Sequence, residues 1–212
     1  MRSRYRIKSA VVLWMCICSP LFSDAETSQT ISLFNGSDLT NWNIADFGTQ
    51  GPVTVNNAQL ILGMGEGCTG VTWDGEFEIP TMNYEVSLQA KRITGNDFFC
   101  GLTFPVNDDF LTLIVGGWAG TVVGLSCIDG LDASENETST MKVFERDRWY
   151  DIRLRVQNNV IDVWINDIRV INIDITGREL SLRPEVLLSR PFGFTSWYTK
   201  AALKHIKLTR LL

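Results

Sequence analysis

Alternation of apolar and polar residues with a period of two constrains this chain more than any other feature. From Asn83 to Ile93, Tyr84, Val86, Leu88 and Ala90 take one side, while Glu85, Ser87, Gln89 and Lys91 take the other. Trp149 to Val156 repeats the pattern, with Tyr150, Ile152, Leu154 and Val156 opposite Asp151, Arg153 and Arg155. Side chains of a strand point alternately to the two faces of a sheet, so each stretch predicts a strand with one face in a core and one in water. Asp97 to Val106, Phe110 to Val115 and Thr121 to Ile128 are almost wholly apolar, as expected of strands covered on both faces. Thr54 to Leu62 is a further β-rich run. Val160 to Ile165 and Ile168 to Ile173 flank Asn166-Asp167, a pair that tolerates positive φ and predicts a hairpin.

The last run, Ala201 to Leu211, predicts a strand with Ile206 and Leu208 in the core and Leu203 and His205 on the other face. Strands near Ile31 and Ile206 are expected to meet and close a sheet. No stretch sustains a 3.6-residue period with caps at both ends. About a dozen strands without a linker predict one all-β domain, an antiparallel two-sheet β-sandwich or jelly roll. Asp129 to Thr140, with Asp129, Asp132, Glu135 and Glu137, reads as a long exposed loop.

Residues 1–25 read as a signal peptide. Arg2, Arg4, Arg6 and Lys8 precede an apolar stretch from Ala10 to Phe22, and Ser23-Asp24-Ala25 supplies small residues for cleavage. The apolar stretch is too short for a membrane span. The expected product is an exported single domain over residues 26–212, acting in the periplasm, at the cell surface or outside the cell. The full chain has 19 basic and 24 acidic residues; removing four and one of them leaves a net charge of −8. Such a field repels a polyanion, so nucleic acid is excluded as the expected partner. Three of the five cysteines remain, Cys68, Cys100 and Cys127, allowing at most one bridge. A domain of this size can work alone, and a monomer is expected.

A resemblance enters at Leu33. The string Leu33-Phe34-Asn35-Gly36-Ser37-Asp38-Leu39-Thr40-Asn41-Trp42 resembles the opening motif of the 3-keto-disaccharide hydrolase domain family (DUF1080). Gly116-Gly117-Trp118, Ile128-Asp129-Gly130, Asn136-Glu137-Thr138, Arg148-Trp149-Tyr150 and Leu182-Arg183-Pro184-Glu185 are similar to a planctomycete branch of it. The resemblance implies a secreted protein with a concanavalin A-like jelly-roll fold that acts on a carbohydrate. It also implies cleavage of a glycosidic bond next to an oxidised sugar carbon. Many members carry Asn-Ser-Gly and then Gly-Tyr-Glu strings; here Asn96-Asp97-Phe98-Phe99-Cys100-Gly101 and Leu111-Thr112-Leu113-Ile114 stand in those places.

A ketone at C3 acidifies the C2 proton, so such a site needs a base, a proton source for the leaving oxygen and a partner for the enolate oxygen. Asp97, Asp129 and Glu137 are the candidate catalytic carboxylates. Asp97 opens an apolar strand, where a carboxyl can be tuned; its alternative is a turn cap. Asp129 and Glu137 flank the polar loop, where with Glu135 and Asn136 they could supply an acid/base pair or oxygen ligands for Ca²⁺; their alternative is solvation. Sugar C–H faces stack on aromatic rings, which singles out Trp118 after Gly116-Gly117, Trp73 and, with less chemistry attached, Trp197. Trp42, Trp149 and Trp164 are expected to pack in the sandwich. Asn136, Arg92 and Arg190 complete the expected substrate-binding set, with Arg183 a further cation that could polarise a keto oxygen.

His205 is the sole histidine, so no multi-histidine zinc site can form, and no Gly-rich phosphate loop is present. No metal and no cofactor are expected. Two non-enzymatic readings compete: a carbohydrate-binding module and a cell-surface adhesion domain.

Overall fold

The computed structural model describes residues 28–212; the expected signal peptide lies outside them. Fifteen strands and one short 3-10 helix make up the regular structure. The chain opens with β1 (Thr30–Ser32), β2 (Trp42–Ile44), β3 (Val53–Asn56), β4 (Gln59–Leu62) and β5 (Cys68–Trp73). Next come β6 (Tyr84–Gly95), β7 (Cys100–Val106), β8 (Asp109–Gly117), β9 (Val122–Ser126) and β10 (Thr140–Met141). The last third holds β11 (Tyr150–Gln157), β12 (Val160–Ile165), β13 (Ile168–Asp174), the 3-10 helix Pro184–Ser189, β14 (Gly193–Trp197) and β15 (Thr199–Arg210).

Two antiparallel sheets form a sandwich. The first runs β13-β12-β11-β6-β15-β4-β3, with β1 also on β15; the second runs β10-β9-β8-β7-β14-β5-β2. The first and last described strands do meet: Ile31 pairs with Leu208. Between the sheets lies one core that draws on almost every strand. Tyr84, wholly buried on β6, reaches across it and donates its hydroxyl to the Pro105 carbonyl at 2.6 Å. Burial without a charged partner pushes that phenol well above its ordinary pKa. No helix among the described residues is long and apolar enough to cross a membrane.

The two sheets differ as the sequence requires. β6 and β11 alternate buried and half-buried positions, so the first sheet has a wet outer face. Glu85 there bridges Arg155 at 2.8 Å and Arg153 at 3.2 Å. Trp149 and Trp164 also lie on this face instead of in the core. Lys204 sits 4.3 Å from the Trp149 ring centroid, and Arg153 3.8 Å from that of Trp164. A large ring can stay half-exposed when a cation covers its face. By contrast, β7 and β9 are buried along their whole length, so the second sheet is covered on both sides.

Three local features depart from the expected pattern. The run ending at Leu62 is a hairpin, because Asn57 and Ala58 turn it with φ of 49° and 57°. The stretch Asp129 to Thr140 is only in part the exposed loop expected: Asp129, Glu135 and Glu137 are exposed, while Ala133, Asn136 and Thr138 are buried within it. In β15, Leu203, Ile206 and Leu208 are all fully buried, which strict alternation forbids. The register slips between Lys204 and Lys207, and His205 takes φ 54°. This β-bulge absorbs one residue and returns the following side chains to the core. The hairpin at Asn166-Asp167 has the expected left-handed pair, φ 49° and 62°. The three cysteines are free, and burial raises the Cys68 and Cys100 thiols to about 12.

The bulge makes a specific prediction. An L-residue in the left-handed region costs about 1 kcal/mol, and a β-branched one more. His205→Gly is expected to keep or raise the urea midpoint, whereas His205→Val lowers it. Equal midpoints for the two variants would show that the bulge is not built as described.

Candidate active site

The site starts from the outer face of the second sheet. On β8, Leu113 and Val115 enter the central core, so Thr112 and Ile114 between them point the other way. On β9, Leu125 faces the core and Ser126 faces outward. A second, small apolar cluster sits on that outer face: Cys68, Phe98, Ile114, Ala133 and Val186, with Phe47, Leu182 and Trp197 at its edge. Thr103 and Thr112, paired across β7 and β8, share a hydroxyl hydrogen bond of 2.9 Å beneath it.

The cover leaves a cleft of about 180 Å³. Its floor is Thr112, Ile114 and Ser126; its sides carry Phe98, Val186, Trp118 and Trp197; its polar groups are Asp97, Arg183 and Glu185. Trp118 stands at the tip of the β8–β9 hairpin, in the left-handed region at φ 46°, with Gly120 and Thr121 amides both donating to the Gly117 carbonyl. Trp197 ends β14 and stacks on Phe98, with centroids 6.5 Å apart. One carboxylate oxygen of Asp97 accepts the Phe98 amide at 2.7 Å, which fixes the side chain at the start of its segment.

Arg183 ties two covering segments together. Its guanidinium forks onto Glu185 at 3.0 and 3.3 Å and reaches Asp132 at 2.9 Å. The fork holds the Glu185 carboxyl below the usual carboxylate range and raises the Arg183 pKa. Pro184 starts the 3-10 helix directly after Arg183 and so places Glu185 and Val186 at the cleft.

Asp97 and Trp118 therefore share one cleft with Arg183 and Trp197, and the remaining expected site residues lie elsewhere. Trp73 is core: it is 7% exposed, meets Trp42 edge-on at 5.2 Å and donates its indole to the Phe77 carbonyl. It cannot stack on a ligand. Asn136 is also internal, at 5% exposure. Its amide donates to the carbonyls of Leu125, Leu131 and Asp132, and its oxygen accepts the Thr138 amide and hydroxyl. It knots the polar loop onto β9 and touches no cleft.

Arg92 is buried, with its guanidinium 5.2 Å from the Phe99 ring centroid. It donates to the carbonyls of Gly116 and Gly120. Arg190 lies over Phe110 and donates to Leu187, outside the cleft lining.

Asp129 and Glu137 sit together outside the cleft lining, both at 2.6 Å from Arg178. The Glu179 amide and then Arg178 hold Asp129 below its ordinary pKa, and Arg178 does the same for Glu137. Both are ionised and ion-paired, which does not suit a proton donor. Among the described residues no group of three His, Cys, Asp or Glu side chains could hold a metal.

Thr112, Ser126 and Phe98 were not picked out by sequence reasoning. For Thr112 and Ser126 the only signal is the phase of alternation on strands buried on both sides, which does not say which buried face borders a cleft; Phe98 precedes β7 and lies on no strand. Arg183 and Trp197 were visible as residue types, and their convergence was not.

A family model, the 3-keto-alpha-glucoside-1,2-lyase-like domain, matches residues 29–209. The chain belongs to that family. The opening motif that signals the family builds the fold rather than the cleft. Asn35 and Asp38 close a turn, Asp38 is pulled down to about 2 by hydrogen bonds from Thr40 and Asn35, and the Trp42 indole donates to Leu33.

Solved structures share the architecture of this family member. The carbohydrate-binding module CBM66 of Bacillus subtilis superposes with TM-score 0.53 at 13% identity, covering 79% of this chain and 94% of its own. A protein of Parabacteroides distasonis, provisionally named a glycosyl hydrolase, gives 0.53 at 13%, covering 86% and 94%. The Emp47p carbohydrate recognition domain gives 0.56 at 12%, covering 90% and 100%. No curated protein sequence matches the chain significantly.

Two variants test the cover. Asn136→Ala strips partners from several buried groups and is expected to cost roughly 3 kcal/mol in denaturant unfolding. A cost below that of an ordinary surface substitution would remove the knot. Arg178→Ala tests the Asp129 and Glu137 pair through pH. Both carboxyls have lowered folded-state values, so their contribution is present above the unfolded carboxylate range and is lost as pH falls through the folded values. The melting-temperature gap between wild type and Arg178→Ala should therefore be widest near neutrality and close in acid. A gap that stays constant with pH would refute the pairing.

Proposed function

We propose that the protein is an exported carbohydrate-active enzyme that holds a saccharide between Trp118 and Trp197 and cleaves 3-keto-glycosides there by elimination. The observation that carries this reading is the convergence of Asp97, Arg183 and two tryptophan rings on one cleft. The family match and the sugar-handling domains that share the fold support it.

The chemistry is assigned as follows. Asp97 takes the C2 proton of the sugar. The electron pair moves onto the C3 carbonyl oxygen as an enolate, and the Arg183 guanidinium faces that charge. The enolate collapses, the C1–C2 double bond forms, and the C1–O bond breaks. The departing oxygen takes a proton from water, and the hydroxide left behind takes the proton from Asp97, restoring its carboxylate. Water then adds across the double bond if the end product is a free 3-keto sugar. The tryptophans orient the ring by stacking. Glu185, held ionised by Arg183, accepts hydroxyl hydrogens and cannot itself protonate the leaving group.

That last point favours a second reading, a binding module without turnover. The two separate cleanly. Purified protein is incubated with 3-keto-trehalose and released sugar is followed, while calorimetry reports binding. Turnover that Asp97→Asn abolishes, with affinity kept within about threefold, is the expected result. Trp118→Ala should weaken binding about tenfold, the scale of a lost stacking contact. Binding without turnover would favour the module, and neither binding nor turnover would overturn both readings.

A further inference from the structure

We infer that Arg92 is a positioning residue: an internal clamp that sets the β8–β9 hairpin tip and so aims Trp118 at the cleft. The inference rests on the saccharide reading of the cleft but concerns a residue that never touches it. Arg92 closes the inward-facing series of β6 after Tyr84, Val86, Leu88 and Ala90, at a position where the pattern calls for an apolar side chain. It is only 6% exposed; among the described residues no carboxylate comes within salt-bridge distance of it, and Asp97 acts on its charge only from further off. Burying a cation costs several kcal/mol unless its hydrogen bonds recover it, so an apolar residue would be the cheaper filling.

The guanidinium spends its hydrogen bonds on the hairpin tip. Its Nη2 donates to the Gly116 carbonyl at 3.1 Å and to the Gly120 carbonyl at 3.0 Å. Those two residues bracket the turn with Trp118 at its centre. The Nε has no partner among the described residues, so the group is aligned to the tip at the expense of its own full satisfaction.

The loop is fitted to the cation from its side as well. Gly116 and Gly120 have φ of 78° and 99°, where glycine is favoured. A Cβ on Gly116 would lie 2.6 Å from the Arg92 Nη2, and one on Gly120 3.1 Å from both terminal nitrogens. Lysine cannot reproduce the arrangement, since it lacks the planar fork that lies over the Phe99 ring. Without the clamp the tip keeps its turn hydrogen bonds to Gly117 and the bond from the Lys142 amide to the Thr121 carbonyl, none of which holds Gly116 or the Gly120 carbonyl. Trp118, 37% exposed and in the left-handed region, would then sample other positions.

The test is a double-mutant cycle with a readout independent of ligand. Arg92→Met should raise amide exchange across residues 117–121 by an order of magnitude or more and weaken saccharide binding about tenfold. Arg92→Lys should fall between the two. In the Trp118→Ala background, Arg92→Met should change affinity no further, because it acts through that ring. Gly120→Ala perturbs the same contact from the loop side and covers the case in which Arg92→Met folds poorly. Additive losses in the cycle, or unchanged exchange at residues 117–121 in both variants, would overturn the clamp. A wild-type protein that binds no saccharide while Arg92→Met still loosens residues 117–121 would sink the functional reading and leave the clamp standing.

Discussion

The outer face of the second sheet cannot be left in water. Its central strands turn Ile114 and Cys68 outward beside small polar residues such as Thr103, Thr112 and Ser126, and a sheet buried only on its core face would expose them all. Burial of apolar surface is the dominant favourable term in folding, so something must cover that face. Among the described residues the one helix is the short 3-10 helix Pro184–Ser189, too short to do it alone. Long connections take its place: the segment between β9 and β10, and the stretch from Leu180 through the 3-10 helix to β14.

Connections carry polar backbone, and that backbone must be paired when buried. Asn136 meets this need on one side, with side-chain bonds to three carbonyls and to Thr138. Arg183 ties the segments to each other through side chains, joining Asp132 to Glu185. The cleft is the gap that such a cover leaves. Charged residues needed to tie the cover down end up lining it, which puts Arg183 and Glu185 beside the apolar floor. The cleft's chemistry thus follows from how the face is roofed. The ion pair of Asp129 and Glu137 with Arg178 belongs to the same roofing work, away from the cleft.

Several single residues show where sequence reasoning reached and where it stopped. Tyr84 to Ala90 and Tyr150 to Val156 were legible as core faces, because alternation is a local property. Asn166-Asp167 was legible as a turn for the same reason. Leu203 was misplaced on the outer face, since a bulge at His205 changes the phase without any marker such as glycine. Asn136 and Trp73 resembled ligand contacts by residue type, yet both serve the interior. Asp97 was expected beside apolar rings and does line the cleft with Phe98.

The sequence by itself determined the two-layer β architecture, the difference between a half-wet and a fully covered sheet, and the family. Those properties reside in period, turn chemistry and short motifs, all of which act over a few residues. Only the tertiary structure decided which carboxylates and tryptophans meet. Asp97, Trp118, Ser126, Arg183 and Trp197 are scattered over a hundred residues of chain and converge because sheet register and the loop cover bring them together. Long-range register is a collective outcome of packing, and no local pattern encodes it.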